Sequence, residues 1–186
     1  LSTSQFALAE SVTLKFHTFV PMPANSNAKF VKPWADKVAS ESNGEIKVEM
    51  YPSMQLGGAP PQLVDQVRDG VVDIVWTVAG YTPGRFPRLE VFELPFMPAT
   101  ATATSPAIQE YVDTVAAEDL KDYKVLAVHV HAPGKIHTKN RLIKSASDLK
   151  GLKMRGPTRP ITQMLEKLGA TPVGMPVPKV APSLSK

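Results

Sequence analysis

Cysteine is absent from the 186 residues. With it go a disulfide scaffold, a thiolate metal site and a cysteine nucleophile. The absence also suits a bacterial protein exported to an oxidising compartment. No run approaches eighteen consecutive apolar residues, so no segment reads as a membrane-spanning helix. The common catalytic and nucleotide-binding patterns are missing too: there is no GxSxG, HExxH, GxGxxG, P-loop or EF-hand loop. Gly57-Gly58 reads only as a turn. Acidic residues are scarce in the last third, where 11 Lys+Arg face 2 Asp+Glu after His129, against 10 facing 15 before it. The basic residues are interleaved with Leu, Ile, Met and Val and form no polybasic block, which argues against nucleic acid. They fit a lobe that is basic where an anionic ligand docks.

What is present reads as an ordered α/β protein. Apolar residues make up 43% and charged residues 20%, an ordinary balance for a folded chain. The length suits one domain or two small or incomplete lobes. Proline, at 18 residues, is about twice its usual ~5% share and falls between periodic segments.

The elements alternate. Val12, Leu14 and Phe16 interleave with Thr13, Lys15 and His17, the period of a half-buried strand. Asn25 and Ser26 can cap a helix whose apolar face is Phe30, Trp34 and Val38, with a kink expected at Pro33 and a stop at Gly44. Ile46, Val48 and Met50 alternate as a second strand. Pro60 and Pro61 open a helix that Gly70 ends. Val71 to Val78 is nearly continuous apolar and reads as a central parallel strand. Farther on come a helix at Ile108–Val115 and a strand at Val125–Val130. The pattern restarts at Ile136–Thr138, with Ser147 as a cap, a strand at Leu152–Arg155 and a helix at Thr158–Leu168. The implied architecture is two βα lobes, with residues 10–130 as the first, residues 131–186 as the start of the second, and a cleft between them.

The chain ends carry their own expectations. Residues 1–9 read LSTSQFALA, and Leu8 between Ala7 and Ala9 gives the small-x-small pattern that precedes a signal-peptidase cut. This stretch is expected to be the remnant of an export signal, cleaved on the way to the periplasm. Val180 and Leu184 have the spacing of a helix that is only beginning, so the chain reads as a C-terminally incomplete fragment.

In open parallel sheets, ligands lie beyond the carboxyl ends of the strands. Those ends make Phe19, Gln55, Thr77, Val78 and Tyr81 candidate ligand contacts, with Met54 beside them. Arg155 is singled out by position. It closes a short apolar strand, is followed by Gly156 and Pro157, and precedes a helix N-terminus at Thr158. A guanidinium there suits a carboxylate, which it can hold by two parallel hydrogen bonds in the favourable field of the helix. Lys135 and Lys139 can add charge, and His131 can contact a bound anion. A competing reading takes His129, His131 and His137 as zinc ligands of a metal-dependent hydrolase, since positions i and i+2 of a strand share a face. No carboxylate nearby completes that set, and no metal or cofactor is otherwise implied.

Several phrases occur in order: ESNGEIKVEMYPSMQLG (residues 41–57), VRDGVVDIVWT (67–77), VFELPFMP (91–98), SASDLKGLKMRGPT (145–158) and LGATPVGMP (168–176). Together they closely resemble the solute-binding proteins of tripartite ATP-independent periplasmic (TRAP) transporters, of the dicarboxylate-binding type. The resemblance covers about Thr13 to Lys186. It implies a two-lobed flytrap that closes on a small organic acid and delivers it to the small and large integral membrane subunits of the transporter, with no turnover of its own. It puts the family's carboxylate-clamping arginine on Arg155. It places Lys135 where other members often carry arginine, which weakens a sugar-acid substrate. Val78, beside Thr77, stands where some members carry a polar contact, which implies a less polar pocket for an aromatic or branched acid. Val177 falls near a position that packs against ligand. A sensor domain built on the same fold is the other alternative.

Overall fold

Val12, Leu14 and Phe16 do alternate with polar neighbours along a strand, β1 (Val12–Thr18), which sinks from an exposed start to a fully buried end at Phe16–Thr18. Two further strands flank it, both parallel: β2 (Ile46–Tyr51) and β3 (Ile74–Trp76), in the order β2-β1-β3. The register pairs His17 with Tyr51 on one side and with Val75 on the other. The chain is described here by a computed structural model covering residues 11–184, so the export-signal expectation for residues 1–9 lies outside the described residues.

The apolar run at residues 71–78 is not the central strand. Asp73 turns its own N–H to the Lys15 carbonyl at 3.1 Å, and its carboxylate accepts from the Lys15 N–H at 2.8 Å. This exchange takes up the start of the run, and β3 pairs over three residues on the edge of the sheet. The centre is β1, whose polar alternation continues only until the strand enters the interior.

Between β1 and β2 runs α1 (Lys32–Glu41). Pro33 lies where five π-helical residues, Asn27–Val31, pass into α1, so the N–H it lacks falls at the change of helical pitch. Gly44, at φ 82°, closes the helix with its N–H on the Ala39 carbonyl at 2.8 Å. The next crossover is α2 (Leu63–Arg68), preceded by a tight turn at Pro60–Gln62. Leu63 is wholly buried, as are Val64 and Val72 to within a few per cent.

The chain divides into two compact units, one running to Thr77 and the other from Val78 onward. In the second, α3 (Ala101–Thr114) is longer than its apolar pattern indicates, because Ala, Thr, Ser105 and an internal Pro106 make up its first half. The strands expected at 125–130 and 136–138 do not form. Both stretches are irregular, and residues 131–142 are uniformly exposed. A strand needs a neighbour for its N–H and C=O groups, and none lies alongside among the described residues. The boundary expected near residues 129–134 falls inside this second unit.

The second unit's parallel pair is β4 (Lys153–Gly156) and β5 (Thr171–Gly174), joined by α4 (Arg159–Lys167). Leu149, Leu165 and Ala170 form its buried centre, with Ile143, Met154 and Ile161 packed around them. Gly156 lets α4 lie close on the strand, since a Cβ there would come within 2.6 Å of the Thr162 methyl. The cap before β4 is Ser145 rather than Ser147. Its N–H reaches Asp148 Oδ2 at 2.9 Å, and the Asp148 N–H returns to the Ser145 carbonyl. A last helix, α5 (Val180–Leu184), follows β5.

Candidate functional site

Arg155 lies one residue from the end of β4, opposite Val173 of β5. Its Nε–H donates to the carbonyl of Met175, just past the end of β5, at 2.9 Å. The Val177 N–H donates to the Tyr81 hydroxyl at 3.1 Å. The segment Met175–Val177 therefore joins two sequence-predicted residues, Arg155 and Tyr81, and Val177 itself completes the group. Gly156 and Pro157 follow Arg155, and Thr158 then holds the N-cap position of α4. Tyr81 and Thr158 are buried, while Arg155 is half-buried.

One terminal nitrogen of the guanidinium is uncommitted. Nη2 of Arg155 is buried and has no hydrogen-bond partner among the described residues. A buried cationic donor left unmatched costs more than an ordinary hydrogen bond returns, and a carboxylate is the group that satisfies it best. The parallel ends of β4 and β5 and the N-terminus of α4 meet at this place, which is where open α/β sheets put ligands.

The neighbouring polar groups were less visible in the sequence. Glu93 Oε2 and Thr158 Oγ1 are also buried and without a hydrogen bond of normal geometry. Burial pushes the Glu93 carboxyl above its ordinary value. The nearby Thr158 hydroxyl opposes this, Glu90 adds to it, and His131 opposes it. Only the spatial meeting of Glu93 with Gly80 and Thr158 reveals this carboxyl, because the three are distant in sequence and share no motif.

The other predicted residues are placed as follows. Val78 is half-buried at the start of the turn carrying Tyr81. Lys135 and His131 are exposed on the irregular segment, and no hydrogen bond among the described residues ties either to Arg155. In the first unit, Phe19 and Thr77 each follow the carboxyl end of one of two paired strands, β1 and β3, and the Phe19 ring packs on Trp76 with centroids 5.7 Å apart. Gln55 is exposed in the turn after β2 and lines an open depression of about 540 Å³ with Met22, Lys32, Asp36 and Met50. Lys32 is bound there to Asp36 at 2.5 Å, so that hollow offers an acid no uncommitted lysine.

His17, at the strand end, serves the fold. The Leu56 N–H donates to its Nε2 at 3.4 Å, so Nδ1 carries the proton and donates to Gln66 Oε1 at 2.7 Å. The zinc constellation does not form. With no strand at 125–130, the shared-face argument fails. His129 and His131 instead turn Nδ1 to the carbonyls of Val130 and Ala132, at 3.4 and 2.6 Å. Among the described residues no three His, Cys, Asp or Glu side chains gather as a metal site.

A parallel βα unit with a half-buried guanidinium at its strand ends is the class of structure this geometry defines. The chain belongs to the bacterial extracellular solute-binding protein family 7 (DctP), whose model matches residues 18–186. Its fold matches a marine-metagenome TRAP solute-binding protein described as specific for aromatic acid ligands and solved with 3-hydroxybenzoate. That match has TM-score 0.92 and 81% identity, covering 95% of this chain and 55% of the other. A TRAP solute-binding protein from Rhodoferax ferrireducens T118, solved with copurified benzoate, matches at TM-score 0.91 and 60% identity, covering 94% and 54%. Among curated proteins, the 2,3-diketo-L-gulonate-binding periplasmic protein YiaO of Escherichia coli K12 is 27% identical over 96% of this chain and 54% of its own length. The chain thus spans about half the length of these relatives.

Proposed function

We propose that this sequence is part of the extracytoplasmic solute-binding subunit of a TRAP transporter, which holds a small organic acid by its carboxylate and passes it to the membrane subunits. One observation carries the reading: Arg155 is fixed by Nε to the Met175 carbonyl while its buried Nη2 has no partner. Tyr81, whose hydroxyl accepts from the Val177 N–H, is a proposed contact, together with Val177, Pro157 and Val78. Lys135, His131, Phe19, Gln55 and Thr77 are the remaining proposed contacts. The acid class is aromatic. The two relatives at 81% and 60% identity are described with 3-hydroxybenzoate and benzoate, and apolar Val78 and Val177 among the proposed contacts suit a ring.

The proposed function is binding rather than turnover, and among the described residues no metal site assembles to favour the hydrolase alternative. Location in the periplasm follows the family, and cleavage of an export signal after residue 9 belongs to the same proposal. So does a lobe division near residues 129–134, in a protein whose relatives are nearly twice as long.

The test is a thermal-shift and calorimetric titration with benzoate, 3-hydroxybenzoate and a C4-dicarboxylate. It uses this chain and a chimera completed by the C-terminal remainder of the 81%-identical relative. Binding should stabilise by RT ln(1+[L]/Kd), about 2.7 kcal/mol at a hundredfold excess over Kd. Arg155→Ala should abolish the effect, and a chelator should leave it unchanged. No response of the chimera to any acid would sink the reading.

A further inference from the structure

Three pieces of the second unit converge on one carboxyl. Glu93 ends the turn Pro87–Glu93, Gly80 lies in the tight turn Ala79–Tyr81, and Thr158 is the residue before α4. A Cβ on Gly80 would run into the Glu93 carboxylate and come within 2.6 Å of the Thr158 methyl. The carboxyl therefore occupies the room that any side chain at position 80 would need. Thr158 makes no side-chain cap bond to α4, and its hydroxyl, like Glu93 Oε2, is buried without a hydrogen bond of normal geometry. A second link joins the same two elements: Arg159, the first residue of α4, binds Glu90 of the turn at 2.8 Å.

We propose that Glu93 is a proton-sensitive positioning residue, whose carboxyl, wedged between Gly80 and Thr158, sets the start of α4 and with it the Arg155–Thr158 segment. The neutral carboxyl fits this wedge. The ionised one buries a charge that the nearby Thr158 hydroxyl offsets only in part. The charged groups facing it from the surrounding elements do not cancel the rest. Glu90 is of like sign, Arg159 is engaged by Glu90, and His131, which favours ionisation as Thr158 does, sits on an exposed segment. An anion held at Arg155, three residues before Thr158, would add a further like charge. Proton uptake at Glu93 and acid binding should therefore be coupled; this coupling rests on the acid-binding reading, whereas the wedge itself does not.

Urea unfolding of the 186-residue chain across pH tests the wedge without any ligand. Native Glu93 binds its proton more tightly than the unfolded residue, so wild-type stability should fall as pH rises through the raised titration range. Glu93→Gln should remove that slope. Gly80→Ala, which expels the carboxyl without altering its charge, should shrink it. Amide exchange at Thr162, whose N–H bonds to the Thr158 carbonyl at 3.0 Å, should quicken with pH beyond the intrinsic rate in wild type only. An unchanged pH slope in Glu93→Gln overturns the proposal.

The coupling is read by titrating 3-hydroxybenzoate into the chimera in two buffers of different ionisation heat. Wild type should take up protons and lose affinity with pH, by at most roughly tenfold per unit for one linked proton. Glu93→Gln should bind with a flat profile. If no acid binds, the acid-binding reading fails and the unfolding slope still decides Glu93. If acid binds with no proton uptake and no pH dependence, the coupling fails while the acid-binding reading stands.

Discussion

The Nε–H of Arg155 donates to the Met175 carbonyl at 2.9 Å, which ties the guanidinium of β4 to the chain leaving β5. A guanidinium pinned through Nε has its rotation fixed before any ligand arrives, and its terminal nitrogens keep a set direction. Preorganisation of that kind reduces the ordering cost of binding.

Arg155→Lys is the informative replacement, because it keeps the charge and removes the fork. A lysine cannot donate to Met175 and present two parallel donors as well. Charge-assisted hydrogen bonds contribute about 1.5–3 kcal/mol each. The variant should therefore weaken acid binding by roughly 10- to 100-fold. Calorimetry on the chimera measures this, and a loss below threefold would show that charge alone holds the ligand.

His17 should matter to stability instead. It is fully buried and satisfied at both ring nitrogens, by Gln66 and by the Leu56 N–H. His17→Leu would strand Gln66 Oε1 and that backbone donor, so a loss of about 1–3 kcal/mol in urea unfolding is expected. Nitrogen NMR should show the proton on Nδ1. A ring protonated on Nε2 would contradict the hydrogen-bond assignment.

Leu63 offers a check on the first unit's interior. It has no exposed surface and opens α2, immediately after the turn begun by Pro60. Leu63→Ala removes buried methyls and leaves a cavity, a change that typically costs 2–5 kcal/mol. A denaturation midpoint within error of wild type would mean that the site collapses freely, against the tight packing that zero exposure implies.

What could be read in the residues depended on how local the signal was. β1 and β2 declared themselves because polar and apolar residues alternate within six or seven positions. The centre of the sheet did not. An apolar run at 71–78 looks more buried than β1, and only the Lys15–Asp73 exchange shows where pairing begins. Residues 125–130 have strand composition, yet composition supplies no partner. The first half of α3 is Ala, Thr, Ser and Pro, with no apolar stripe to count. In the site, Arg155 was legible because strand end, Gly156, Pro157 and helix start are contiguous. Glu93 was not, since its meaning comes from Gly80 and Thr158, both far along the chain.

Asp148 gives a pH dependence of opposite sign to that of Glu93. Its carboxylate accepts from the N–H groups of Lys144 and Ser145 at 3.0 and 2.9 Å and from the Ser145 hydroxyl, and Arg141 lies 3.7 Å away. These donors favour the ionised form, led by the two backbone groups, and hold the carboxyl below the ordinary aspartate range. The folded state therefore binds this proton less readily than the unfolded chain. Its contribution is complete above the unfolded value and disappears as pH falls through the folded one. Asp148→Ala should lower the urea midpoint at neutral pH, and the gap to wild type should close on acidification. Because the carboxylate is exposed, salt should narrow the gap only slightly if the backbone bonds dominate. A gap that widens towards acid would reverse the sign and exclude the turn cap as its cause.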